Sequence, residues 1–428
     1  MRLMCAALAG LGAACLAAPA AAQDPLLSTA AASELREMCQ ADASQLWGVD
    51  LCGPLMIVDR GTRRAWTSEP DTFGMFQPAG VGWVGTLPAS VPIANTTTEW
   101  AGVRWIQVMA PLPTDAENRR VLLAHEAWHR AQNALGLPAQ PSECAHLETE
   151  RARVLMRLEF RALSVALRSA GRGRRQAATE ALMFRAARLA EFSGAAAQEA
   201  ALDRNEGLAS YTGVKLGVTD NPALFAARTL DRYDRHQALA RSYGYASGPA
   251  YGLLLDDMRP GWQRELGRYA PADLLAIELQ ARAPSPRELQ RSQERYGGAT
   301  IVSEERARAE AQGARIAQLR VRFDRGPRLE LPLQNMQMEF DPNAVTPIDG
   351  LGNFYSTLTV RDAWGELRAE DGALISTDFR RLIVSSPGPG AAYGPGWRLS
   401  LAPGYQLIGP DAAGVFRPVE APADAPPI

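Results

Sequence analysis

The spacing of the hydrophobic residues changes twice along this chain, and that change restricts the fold more than any other feature. Up to Ala110, short apolar runs alternate with turn signals such as Gly53-Pro54, Gly61 and the glycines from Gly80 to Gly85. From Thr114 to about residue 315 the repeat is helical, punctuated by Gly136, Gly171, Gly173 and Gly194. After Ala317 the alternation returns in Leu319, Val321 and Phe323, then in Leu329, Leu331 and Leu333, with Pro/Gly turns recurring to Val419. A two-residue repeat buries one face of a strand and a 3.6-residue repeat one stripe of a helix, so neither pattern can take the other's geometry without exposing its apolar set. The expected fold is therefore α+β, with an N-terminal antiparallel-rich sheet over 23–113, a helical unit over 114–315 and an all-β unit over 316–428. Val103 to Met109 suits a strand packed on both faces. A length of 428 residues accommodates two or three domains. Hydrophobic and charged contents of 46% and 21% are those of an ordinary globular chain and exclude disorder over most of the length.

The first residues carry an arginine, then a small apolar run to Ala18, then Ala20-Ala21-Ala22. That order predicts a secretory signal peptide over 1–22, cleaved near Ala22. No later stretch approaches 18 apolar residues, so a periplasmic or secreted protein without a membrane span is expected. The net charge of −2, with both signs interspersed, gives no basic surface for nucleic acid. In an oxidising compartment Cys39 and Cys52 are close enough in sequence to pair. Cys144 is then left over, either as a buried thiol or as a metal ligand beside His146.

The chemistry concentrates in His125-Glu126-Ala127-Trp128-His129. Thr114 and Glu117 predict a capping box for a helix from Asp115 to Leu135, closed by Gly136 and Pro138. On such a helix His125 and His129 lie about 40° apart and roughly 6 Å along the axis, so both imidazoles can reach one ion. Zinc accepts neutral imidazole nitrogens and needs a third protein ligand, leaving a fourth position for water. Glu126 is then placed to take that water's proton. Glu148, Glu159 and Glu206 are the candidate third ligands, although pairing with the many arginines explains Glu148 and Glu159 equally well. Tyr211, His236 and Tyr245 are candidate donors to a developing oxyanion, and Gln132, Asn133 and Asp203 candidate supports for the imidazoles.

The segment Asn205-Glu206-Gly207-Leu208-Ala209 resembles the NEGFA helix of the gluzincin metallopeptidases, the group that includes the zinc aminopeptidases. Tyr245-Ala246-Ser247-Gly248 resembles the Y-x-K-G helix of its glycyl-aminopeptidase-like branch, with Ser247 in place of the lysine. The resemblance spans roughly residues 100 to 270. It implies zinc ligation by His125, His129 and Glu206, general-base action by Glu126, and oxyanion stabilisation by Tyr245. Those peptidases place the ligand glutamate soon after the second histidine. Glu148 keeps that spacing without the flanking residues, and Glu206 keeps the flanks without the spacing. Glu206 is preferred because Gly207 and Ala209 would let helix and metal approach closely. No aminopeptidase-type GxMEN segment precedes the helix, and in Asn95 to Trp100 only Glu99 could hold a free amine, so exo- and endopeptidase action both stay open. The expected activity is zinc-dependent hydrolysis of a peptide or protein substrate. The alternative is an inactive or structural zinc protein of the cell envelope that binds a partner through its β unit.

Overall fold

The computed structural model describes residues 25–421 apart from 141, 236–238, 342–343, 387–392 and 395. The expected signal peptide and His236 lie outside the described residues. The fold is α+β, in two compact units that divide between Val302 and Ser303.

The first unit opens with a helix, α1 (Pro25–Asp42), where a β-rich region is expected. Ala31, Leu35 and Met38 recur at helical spacing and are buried. Small alanines between them dilute the contrast that makes such a stripe visible in sequence. Six strands follow: β1 (Leu55–Asp59), β2 (Arg64–Thr67), β3 (Gln77–Pro78), β4 (Trp83–Thr86), β5 (Thr96–Trp100) and β6 (Val103–Ala110). They form one sheet in the order β3-β4-β2-β1-β6-β5, in which only β1 and β6 run parallel.

Both faces of the central strands are covered. Leu55, Ile57, Ile106 and Val108 pack against α1 and against α2 (Ala116–Ala131), while Met56, Val58 and Trp105 meet Phe76, Leu87 and Val91 on the other side. The Glu34 carboxylate accepts two hydrogen bonds from Arg119, at 2.8 and 2.5 Å, and so ties α1 to α2.

A helical layer completes the unit: α3 (Glu150–Arg168), α4 (Gly171–Glu191), α5 (Ala195–Leu202), α6 (Leu208–Gly217), α7 (Pro222–Tyr233), α8 (Leu239–Met258), α9 (Pro271–Leu279) and α10 (Pro286–Arg295). Its core joins Leu155, Phe160, Phe184, Tyr211, Tyr251 and Trp262, all wholly buried. Helix α11 (Gly298–Arg320) contains the division between the units and continues into a π turn, Val321–Arg325.

Leu319, Val321 and Phe323 are therefore not in a strand as their alternation predicts. Leu319 and Phe323, four residues apart, are buried together against Phe354 and Leu374. The first strand of the second unit is Arg328–Pro332. A seven-stranded and a five-stranded sheet enclose a common core that includes Leu331, Val360, Trp364, Leu382 and Trp397. Among the described residues no helix is long and apolar enough to cross a membrane.

Candidate metal centre

Helix α2 starts one residue later than the expected capping box. Asp115, in an extended conformation, is the cap, and its carboxylate accepts from the Asn118 backbone N–H at 2.8 Å. Leu123, Ala124, Ala127 and Ala131 face the sheet and are buried there. Helix α6 lies directly on the backbone of α2, because a Cβ at Gly213 or Gly217 would come within 2.6 Å of Val121 main-chain atoms. Gly213 thus lies within α6 at the helix contact.

Between α5 and α6 the chain makes a π turn, Asp203–Gly207, closed by a bond from Leu208 N–H to Asp203 C=O. The wider turn shifts the angular phase of the chain, a distortion frequent at functional sites. It presents Glu206 and Ser210 to the two histidines. Gly207 does not make room for a metal as expected. Its space is taken by Gly248 of α8, where a Cβ would lie 2.2 Å from the Gly207 carbonyl oxygen. That contact sets α8 against the turn and seats the Tyr245 ring on His125, 5.5 Å between centroids and 7° from parallel.

Three donor atoms converge. His125 Nε2 and His129 Nε2 are 3.1 Å apart, and Glu206 Oε2 lies 3.4 and 3.6 Å from them. A tetrahedral zinc site with bonds of roughly 2.0–2.1 Å requires donors roughly 3.3–3.4 Å apart. The triangle fits that ion.

The orientation of His129 follows from the hydrogen bonds behind it. Asn205 Nδ2 donates to Glu206 Oε1 (2.9 Å), because a carboxylate only accepts. Asn205 Oδ1 must then accept from Gln132 Nε2 (3.1 Å), and Gln132 Oε1 from His129 Nδ1 (3.1 Å). The proton of neutral His129 is thereby placed on Nδ1, and Nε2 turns a bare lone pair into the triangle. Ser210 Oγ stands 3.2 Å from His125 Nδ1 and holds the second ring, with Nε2 likewise turned into the triangle. Two facing lone pairs at 3.1 Å repel unless a proton or a cation lies between them.

Electrostatics points the same way. Burial would raise the Glu206 carboxyl, but the two imidazoles outweigh it and hold it well below the usual range. Burial would lower His129, but Glu206, Glu126 and Gln132 outweigh it and raise it. Burial also raises Glu126, assisted by Glu206 and opposed by the histidines. Glu126 Oε2 is buried with no hydrogen-bond partner among the described residues. The Tyr245 hydroxyl is raised by burial and by facing Glu206. These side chains line a cavity of about 300 Å³, with Asn95, Phe225 and Arg232 among its other walls.

The remaining sequence candidates lie elsewhere. Glu148 is exposed on a 3-10 turn, Ala145–Glu148, outside the donor triangle. Glu159 is wholly buried in an ion pair with Arg188 at 2.6 Å. His146 bonds Glu199 at 2.9 Å, and Cys144 is a buried thiol 3.1 Å from Ser142 Oγ. The Tyr211 hydroxyl donates to Asp256 at 2.7 Å. Asn133 is exposed, Asp203 is paired with Arg185 at 3.0 Å, and Glu99 is exposed on β5. Cys39 and Cys52 meet beside Asp50, with ligand atoms within 4.8 Å of one another, but as free thiols, so the expected bridge is not formed.

Sequence reasoning missed Asn205 and Ser210 as supports. Ser210 stands one helical turn after Glu206, a spacing that could have pointed to it. Arg232 carries no local signal at all. No family model, no curated protein and no solved structure matches this chain.

Because Gln132 sets the tautomer of a donor, Gln132→Ala is expected to weaken zinc binding by about 10- to 100-fold with little change in folding. Competition with a chromophoric chelator measures this. Unchanged affinity would mean that the relay does not orient His129.

Proposed function

We propose that the protein is an exported zinc-dependent peptidase of gluzincin type, with His125, His129 and Glu206 holding the metal. The observation that supports this most is the donor triangle, with edges of 3.1, 3.4 and 3.6 Å, opening onto a cavity that the Glu126 carboxylate also lines. Zinc held there would polarise a carbonyl and bring the pKa of a water in its fourth position to about 7.

Glu126 accepts that water's proton. Burial lifts its carboxyl toward the range in which one group can both take a proton and return it to the leaving amine. Tyr245 keeps its proton across the physiological range, so its hydroxyl can donate to the oxygen that becomes negative. Ser210, Gln132 and Asn205 keep the donors in register throughout.

The alternative, a closed structural zinc site, calls for a fourth protein ligand. Among the described residues Cys144, His146 and Glu148 are all outside the donor group. The test is metal content of the purified protein by mass spectrometry, after zinc-replete preparation and dialysis. About one zinc per chain is expected in the wild type and in Glu148→Ala, and almost none in Glu206→Ala. A wild type without zinc would sink the proposal.

A further inference from the structure

The cavity holds one charge that zinc hydrolysis does not use. Arg232, in the last turn of α7, is exposed and lines the cavity with His125, Glu126, His129 and Glu206. Its acidic neighbours in sequence are engaged elsewhere. Asp231 accepts from Arg168 Nη2 at 2.6 Å and from Ser164 Oγ at 2.7 Å. Asp234 is held by Arg157 and Arg161, each at 3.0 Å. The Arg232 guanidinium lies 5.6 Å from the Tyr233 ring centroid, and no carboxylate pairs with it among the described residues.

Among the described residues, the carboxylates in the cavity wall are Glu126 and Glu206. Two negative charges balance a divalent ion, and Arg232 then leaves the cleft with one positive charge in excess. A neutral peptide backbone offers that charge no ionic partner, whereas a substrate carboxylate does. A guanidinium fork matches a carboxylate with two parallel hydrogen bonds. The remaining wall includes Val121, Leu122, Val214 and Phe225, which suit an apolar side chain. The volume, about 300 Å³, is at the small end for a ligand site and fits a short stretch of peptide.

We propose that Arg232 determines specificity by binding a carboxylate of the substrate beside the scissile bond, so that the cleft selects peptides carrying a free carboxylate next to an apolar residue. This rests on the peptidase reading above. The carboxylate can be the C-terminus of the peptide or the side chain of an aspartate or glutamate, and the same fork serves both.

The test measures binding apart from turnover. Zinc-loaded Glu126→Gln protein is titrated calorimetrically with an acetylated alanine–leucine–phenylalanine–alanine peptide as free acid and as amide. The amide form with aspartate or asparagine at the last position forms the second pair. At least one pair is expected to favour the carboxylate by about tenfold, a modest value because Arg232 is exposed to solvent. The C-terminal pair and the side-chain pair tell the two sources apart. Adding Arg232→Ala should bring the ratio to about one at unchanged zinc content, and Arg232→Lys should keep part of it.

Equal affinities within both pairs, no binding of any peptide, or a ratio that survives Arg232→Ala would each overturn the proposal. Hydrolysis of the same peptides by the wild type gives an independent result. Cleavage without carboxylate preference leaves the peptidase reading standing and removes Arg232 from it. Arg232-dependent binding without cleavage of any peptide by zinc-loaded wild type does the reverse.

Discussion

Replacing Glu126 by glutamine is expected to lower peptide hydrolysis by about a hundred- to ten-thousand-fold while zinc content stays at the wild-type level. Glutamine keeps the volume and shape of the side chain, and among the described residues Glu126 belongs to no ion pair whose loss would disturb the fold. Its Oε2 is buried and has no hydrogen-bond partner among those residues. An amide in that place cannot take a proton from water, whereas His125, His129 and Glu206 keep their donors and the supports behind them. Three measurements on one preparation decide the matter: initial rates on a peptide chosen from a library, zinc by mass spectrometry, and a thermal melt. Wild-type rates in this variant would remove Glu126 as the base. Lost zinc would show that its carboxylate holds the metal.

Arg188→Met is expected to destabilise the first unit by about 3–5 kcal/mol, the usual cost of breaking a buried ion pair from one side. Arg188 is wholly buried on α4. It bonds Glu199 at 2.7 and 2.8 Å and pairs with Glu159 at 2.6 Å. Arg185 lies beside it, 3.0 Å from Asp203 and 3.3 Å from Glu199. Tyr243 and Tyr251 donate to Glu159 at 2.9 and 2.7 Å.

Methionine fills much of the volume but leaves two buried carboxylates without their common counter-charge. For a unit of this size the loss corresponds to a fall in Tm on the order of 10 °C. The effect should reach the metal as well, since Glu199 lies in α5 and Asp203 begins the π turn that presents Glu206. Calorimetric melting of wild type and variant, with and without zinc, reads both. Adding Glu159→Gln and Glu199→Gln should restore part of the stability by removing the stranded charges. A Tm within a degree of wild type would mean that the cluster is solvated and contributes little.

Legibility in the sequence varied with the range of the interactions involved. The α+β class could be read because a period of two or of 3.6 is a property of neighbouring residues, and β6 shows the two-sided burial its run of apolar residues predicts. Helix α1 was missed because alanines on both sides of Ala31, Leu35 and Met38 blur the stripe. Leu319 and Phe323 mislead for a related reason, since residues four apart satisfy both a helix and an alternating strand.

Within the site, the placing of His125 and His129 on one side of α2 is a matter of helical geometry alone, so their sequence spacing already determined it. Everything that converts this pair into a candidate centre depends on distant segments. Glu206 arrives through the π turn and through glycine contacts that bring α6 onto Val121 and α8 onto Gly207. The tautomer of His129 depends on a chain of hydrogen bonds through Gln132 and Asn205. Arg232 faces the cavity while the flanking acids Asp231 and Asp234 are engaged by other arginines. The sequence by itself determined the local periods, the helix that carries the histidines and the types of residue available to a metal. Only the tertiary structure decided which carboxylate meets the histidines and which arginine faces the cleft, because those choices rest on the close packing of elements far apart in the chain.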